Sequence, residues 1–191
     1  PTMQFDMYVA EEIGFEKFDI LSQRGIGHIK DCRELVHANQ GITIDTRQPK
    51  RFFEDPHIAQ QLRSANTIGC FYIESPAMRQ LLTKLHCDDY LTLVAASSII
   101  RPGVSSSGMM AAFIQRHHDP SQVVYPHPVF KEQLEETYGV MVYQEDVMKI
   151  ANAYGGLDMA DADVLRRMMS GKYRSKDHLI EIEGKYFDNC R

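Results

Sequence analysis

From Asp55 onward, apolar residues recur at three- and four-residue intervals between capping residues, a pattern that predicts a succession of helices. Asp55-Pro56 opens one that runs to about Arg63. Ser75-Pro76 pairs a serine N-cap with proline at the first helical position and opens another, whose core face is Met78, Leu81, Leu82 and Leu85. Asp88 or Asp89 opens the next, with Leu91, Val94, Ala95 and Ile99 in phase, and Arg101-Pro102-Gly103 closes it. Ser105, Ser106, Ser107 and Gly108 form a loop before a helix over 109–118 with Met110, Phe113 and Ile114 inward. Pro126 and Pro128 mark a turn before a helix over 130–138 that ends at Gly139. A helix over 144–154 stops at Gly155-Gly156, one capped by Asp158 stops at Gly171, and Ser175 and Asp177 start a last one.

The first third reads differently. Residues 15–21 alternate loosely between apolar and charged, as a half-buried strand does, placing Lys17 and Asp19 on one face. After Gly25 and Gly27, Ile26, Ile29, Cys32, Leu35 and Val36 carry helical spacing to about Ala38. Short β-like pieces are expected at 42–44 and 67–74, with a β-branched insert at 140–143. The expected fold class is mainly α, with a few short strands near the N-terminus and middle.

Composition narrows this little. At 191 residues the chain is long enough to bury a real core, and 43% hydrophobic and 25% charged residues are ordinary for a soluble globular protein. No apolar run is long enough to span a bilayer and no signal-peptide pattern is present, so no membrane partner is expected. Cys32, Cys70, Cys87 and Cys190 form no CxxC pair and read as reduced thiols of an intracellular protein. The chain begins Pro1-Thr2 and stops at Arg191 inside a helical pattern, which suggests a piece of something longer.

Charge changes the picture locally. The net charge is −5, yet from Arg166 to Lys176 the charged residues are Arg166, Arg167, Lys172, Arg174 and Lys176, without a carboxylate. Such a run at a helix end can line a site for a polyanion. Ala162, Leu165 and Met168/Met169 define an inward face, which puts Arg166 at its edge and Arg167 on the far side. The plainer reading is that arginines in a last turn satisfy the helix dipole and that Asp163 pairs with Arg167 four residues on. On residue type alone that reading is favoured.

Other candidates are weaker. Asp19 on a strand could hold Mg²⁺, or simply pair with Lys17 on the surface. Alone it cannot support a two-metal reaction. His117-His118-Asp119, near His127, resembles a metal cluster, but adjacent helical histidines point about 100° apart and read better as a helix end. Arg101 at a bend could reach phosphate or pack locally. Glu74-Ser75 is most simply a cap. Tyr138, Tyr143 and Tyr154 read as packing residues, and the serines at 105–107 lack a nucleophile's context.

Several stretches occur in the order of a known family: KFDIL at 17–21, IESPAM at 73–78, RPG at 101–103, SGM at 107–109, FI-RH at 113–117, YP-HP at 125–128, ETYGVMVYQEDVMKIA at 136–151 and ADADVLRRMMSGK at 160–172. The chain resembles the C-family DNA polymerases, the α subunits of bacterial DNA polymerase III, over nearly its whole length. The resemblance implies a helical fingers region at 25–191, preceded at 1–24 by one edge segment of a nucleotidyltransferase-type palm sheet. It implies that Asp19 is the third of three palm aspartates holding two Mg²⁺ ions, and that Arg166 and Arg167 meet the triphosphate of an incoming dNTP with help from Lys172. It implies primer-template DNA and replisome subunits as partners and a cytoplasmic location. Lys17, Arg101, Arg174 and Lys176 are candidate phosphate or nucleic-acid contacts. KFDILSQ, Tyr72-Ile73 and MMSGKYR depart from the common replicase pattern, and the chain resembles error-prone-type paralogues about as well. The alternative is a non-catalytic helical module that binds single strands or a protein.

Overall fold

The computed structural model describes residues 4–16, 18, 20–101, 107–169 and 176–190, apart from the side chains of 176 and 177. The fold is mainly α, and the described residues contain no strand. The chain divides into two compact units, Pro1–Arg47 and Gln48–Arg191.

The first unit holds α1 (Met7–Glu12) and α2 (Arg24–Gln40). Asp6 starts α1 by accepting a hydrogen bond from the Val9 amide at 2.9 Å. This short helix has no apolar periodicity to announce it. The α2 helix runs through Gly25 and Gly27 and ends at Gly41 in the left-handed conformation (φ 69°). Arg33 Nε donates to the Ile44 carbonyl at 2.8 Å and ties the 42–44 segment back to α2 without a strand. The spacing of Ile26, Ile29 and Leu35 predicts a buried face, yet all three are exposed and α2 buries no residue. The described residues of 15–21 are not in a strand, and Lys17 and Asp19 lie outside the described residues.

The second unit contains α3 (Lys50–Phe53), α4 (Pro56–Arg63), α5 (Pro76–Leu85), α6 (Tyr90–Ile99), α7 (Met109–His118), α8 (Pro128–Leu134), α9 (Gln144–Ala153), α10 (Met159–Met169) and α11 (Lys176–Asn189). The capping signals act as read. Asp55 accepts from the His57 amide, Ser75 from Met78 and Asp89 from Thr92. Each satisfies an amide that the first helical turn leaves without a partner.

The 67–74 segment is a correction to the β-like expectation. It folds as two consecutive turns, with Cys70 N donating to the Thr67 carbonyl and Ile73 N to the Cys70 carbonyl. The third residue of each turn, Gly69 (φ 82°) and Tyr72 (φ 72°), has the positive φ of a type II turn. Thr67 Oγ1, buried, donates to the Ile73 carbonyl at 2.7 Å, and Glu74 accepts from the Gly69 amide at 3.0 Å. A run of β-branched and aromatic residues is thus curled by side-chain bonds within itself. Glu74 and Ser75 have structural partners, in keeping with the cap reading.

The larger core gathers residues of α4 to α7, with Val140 and Val142 from the insert before α9. Phe113 of α7 is 2% exposed and Leu82 of α5 is fully buried. The insert is not a strand; it carries two buried valines into this core. Two histidines join α7 to the end of α5, with His117 Nε2 at 3.0 Å from the Leu85 carbonyl and His118 Nε2 at 2.6 Å from that of Lys84. A carbonyl only accepts, so both rings carry the proton on Nε2. The histidines therefore cap a neighbouring helix. Among the described residues no group of three or more His, Cys, Asp or Glu could hold a metal ion. Arg116 adds a bond to the Tyr138 carbonyl at 3.0 Å. Tyr138 packs edge-on against Phe113, and Tyr154 against Phe130, as packing residues do.

A smaller core joins α9, α10 and α11 through Ala151, Leu157, Ala162 and Ile182. Here Gly155 is required by space, because a β-carbon there would collide with the Tyr186 ring of α11. Asn189 donates to the Gly155 carbonyl at 3.0 Å, and Lys185 reaches Asp161 of α10 at 3.1 Å.

Candidate functional site

The turn at 154–158 folds α9 and α10 into a helical hairpin. Gln144 at the start of α9 meets Arg166 near the end of α10, so the two run antiparallel. Asp158 opens α10 by accepting from the Asp161 amide at 2.8 Å, as its position predicts. Ala162 is fully buried and Leu165 packs on the smaller core. Met169, read as inward, is 67% exposed and sits at the rim of an apolar groove of about 460 Å³ between α9, α10 and α11. The packing face of α10 is thus taken, and its guanidinium groups emerge elsewhere.

Arg166 and Arg167 share one carboxylate. Arg166 donates from Nε (2.8 Å) and Nη2 (2.7 Å) to Asp163 Oδ1. Arg167 Nε lies 2.8 Å from Asp163 Oδ2. Arg166 Nη1 donates to Gln144 Oε1 across the hairpin at 2.7 Å. The two arginine side chains differ in exposure, 24% for Arg166 and 57% for Arg167, which matches the edge and far-side positions read from the sequence. The hydrogen bond from Arg166 and the charges of both arginines hold the Asp163 carboxyl below the usual carboxylate range. Asp163 is therefore an anion at neutral pH, and the cluster of two guanidinium groups and one carboxylate carries a net charge of about +1.

The pairing of Asp163 with Arg167 noted in the sequence is present, and Arg166 joins it. Neither arginine is in the interior. Exposed ion pairs of this kind are worth about 0–1 kcal/mol, so the Arg167–Asp163 contact does not commit Arg167.

The other candidates are dispersed. Arg101 is exposed just beyond the end of α6. Lys172 and Arg174 lie outside the described residues, and of Lys176 only the backbone, at the start of α11, is described. Asp119 accepts from Ser121 and Gln122 in the turn after α7, and those bonds lower its pKa. The buried Cys87 thiol is pushed up to about 11 by burial and is unreactive as a nucleophile.

Sequence reasoning missed Gln144. A usable signal was there. Two helices joined by a short glycine turn often form an antiparallel hairpin, which sets the first residue of one beside the last turn of the other.

The family model described as "Bacterial DNA polymerase III alpha subunit finger domain" matches residues 26–191. The chain is 34% identical over 187 residues to the DNA polymerase III subunit alpha of Aquifex aeolicus (strain VF5), covering 98% of this chain and 16% of that protein. It is 37% identical over 184 residues to the DNA polymerase III subunit alpha of Staphylococcus aureus (strain COL), covering 96% of this chain and 17% of that protein. The chain therefore spans about a sixth of the length of these curated relatives.

Proposed function

Because the chain belongs to the finger-domain family of bacterial DNA polymerase III alpha subunits, we propose that its cationic helix end binds the triphosphate of an incoming dNTP during template-directed DNA synthesis. The observation that carries this reading is the pair of adjacent guanidinium groups on α10, gathered at the surface on a single carboxylate. A triphosphate brings several negative charges to a cluster of net charge about +1. Charge-assisted hydrogen bonds to phosphate are worth about 1.5–3 kcal/mol each, more than an exposed ion pair, so phosphate oxygens outcompete Asp163 for Arg167. Arg166 and Arg167 then neutralise the β and γ phosphates while the primer 3′-oxygen attacks the α-phosphorus. They hold the growing charge of the departing pyrophosphate. Lys172 adds to the same charge, and Lys17, Arg101, Arg174 and Lys176 are proposed as phosphate or nucleic-acid contacts.

Residues 1–24 are proposed as palm and 25–191 as fingers, with Asp19 as catalytic metal-binding aspartate. The described residues do not build a site for the two Mg²⁺ ions. The proposed holders of those ions are Asp19 and carboxylates elsewhere in the full-length protein. Primer-template DNA and replisome subunits are the proposed partners, and the cytoplasm the proposed location. No helix among the described residues is long and apolar enough to cross a membrane.

Two assays on this chain alone test the reading. One aspartate cannot assemble a two-ion site, so rigorously purified chain is expected to extend no primer. Its binding to single-stranded oligonucleotide is expected to be weak or absent at about 50 mM salt. Tight binding that falls steeply as salt rises would point instead to a self-sufficient nucleic-acid-binding module.

A further inference from the structure

We infer that Gln144 is a positioning residue of the triphosphate site, acting through Arg166. The inference rests on the triphosphate reading and adds a second helix to it. A guanidinium only donates hydrogen bonds, so the Gln144 side chain must present its carbonyl oxygen to Arg166 Nη1, at 2.7 Å. With Nε and Nη2 on Asp163 Oδ1, Arg166 is fixed from two sides by acceptors on two helices. Three of its five N–H donors are engaged, and the plane of the group is set before any ligand arrives. Arg167 is the more exposed of the two.

Gln144 has little else to do. It is exposed, and the cap of α9 is supplied by Asp146, whose Oδ2 accepts from the Tyr143 amide at 2.9 Å. Asp146 is buried, and burial raises its pKa against the lowering effect of that bond. The hairpin itself is held by the apolar contacts of Ala151, Leu157 and Ala162. Losing the Gln144 amide therefore leaves α9, α10 and their packing in place, and removes one of the two acceptors that fix Arg166. A guanidinium held from one side only must be ordered further when nucleotide binds, and that cost weakens binding.

The test is a double-mutant cycle in the full-length polymerase, read as steady-state dNTP KM and kcat. Gln144→Met, which keeps the length and loses the acceptor, is expected to raise KM about three- to tenfold with kcat within about twofold. The same substitution in an Arg166→Ala background is expected to have no further effect, because the group it acts through is gone. A KM unchanged by Gln144→Met, where Arg166→Ala raises it, overturns the inference and leaves the triphosphate reading standing. An effect of equal size in both backgrounds also overturns it, since Gln144 would then act by another route. If Arg166→Ala itself leaves KM and kcat at wild-type values, the triphosphate reading falls and the inference with it.

Discussion

Replacing Arg167 with alanine in the full-length polymerase is expected to lower kcat/KM for dNTP by roughly ten- to a hundredfold. The size follows from what is removed. A charge-assisted hydrogen bond to phosphate is worth about 1.5–3 kcal/mol, and each 1.4 kcal/mol is a factor of ten. The loss is not offset by relief of the resting ion pair, because the Arg167 side chain is 57% exposed and such pairs contribute about 0–1 kcal/mol. Arg166→Ala is expected to cost a similar factor. It also leaves Gln144 without its donor and Asp163 with Arg167 alone. Steady-state kinetics with varied dNTP checks both variants. Wild-type KM and turnover in Arg167→Ala would mean that the guanidinium never reaches the nucleotide.

The second large effect is on stability. Phe113→Ala in this chain is expected to destabilise the Gln48–Arg191 unit by about 3–5 kcal/mol, the range for removing a fully buried aromatic side chain. Phe113 faces Tyr138 edge-on at 5.4 Å and stacks beside His117 at 6.1 Å. The same tyrosine and histidine bond to each other, and His117 caps α5. The cavity would therefore open where three segments are tied together, and it has little freedom to collapse. Urea unfolding with the slope compared to wild type checks this. A loss below about 1 kcal/mol would show that the site can repack.

Helix starts were legible because they are local. Ser75-Pro76, Asp55-Pro56, Asp89 and Asp158 each act through an amide two or three residues on, and no distant partner is needed. The 67–74 segment was misread because its composition suits a strand. What curls it is Thr67 reaching the Ile73 carbonyl and a tyrosine, Tyr72, at positive φ, and residue type announces neither. The face of α2 shows the converse failure, since helical spacing identified apolar residues that the fold leaves exposed. For the candidate site, the sequence placed Arg166 at an edge and Arg167 on the far side, and spacing alone suffices for that. Asp163 serves both arginines from three and four residues away on the same helix, and spacing announced the Arg167 half of that. That Gln144 tethers Arg166 depends on a hairpin closing 22 residues of chain, which spacing does not announce.

The most direct measurement is photo-crosslinking of the full-length polymerase, assembled with primer-template, by a dNTP carrying an azido group on its γ-phosphate. Mapping the labelled peptide reports where the triphosphate lies. The account predicts label within 158–169, or at the facing start of α9 around Gln144, and competition by unmodified dNTP. Competable label confined to peptides outside 140–176 would contradict it.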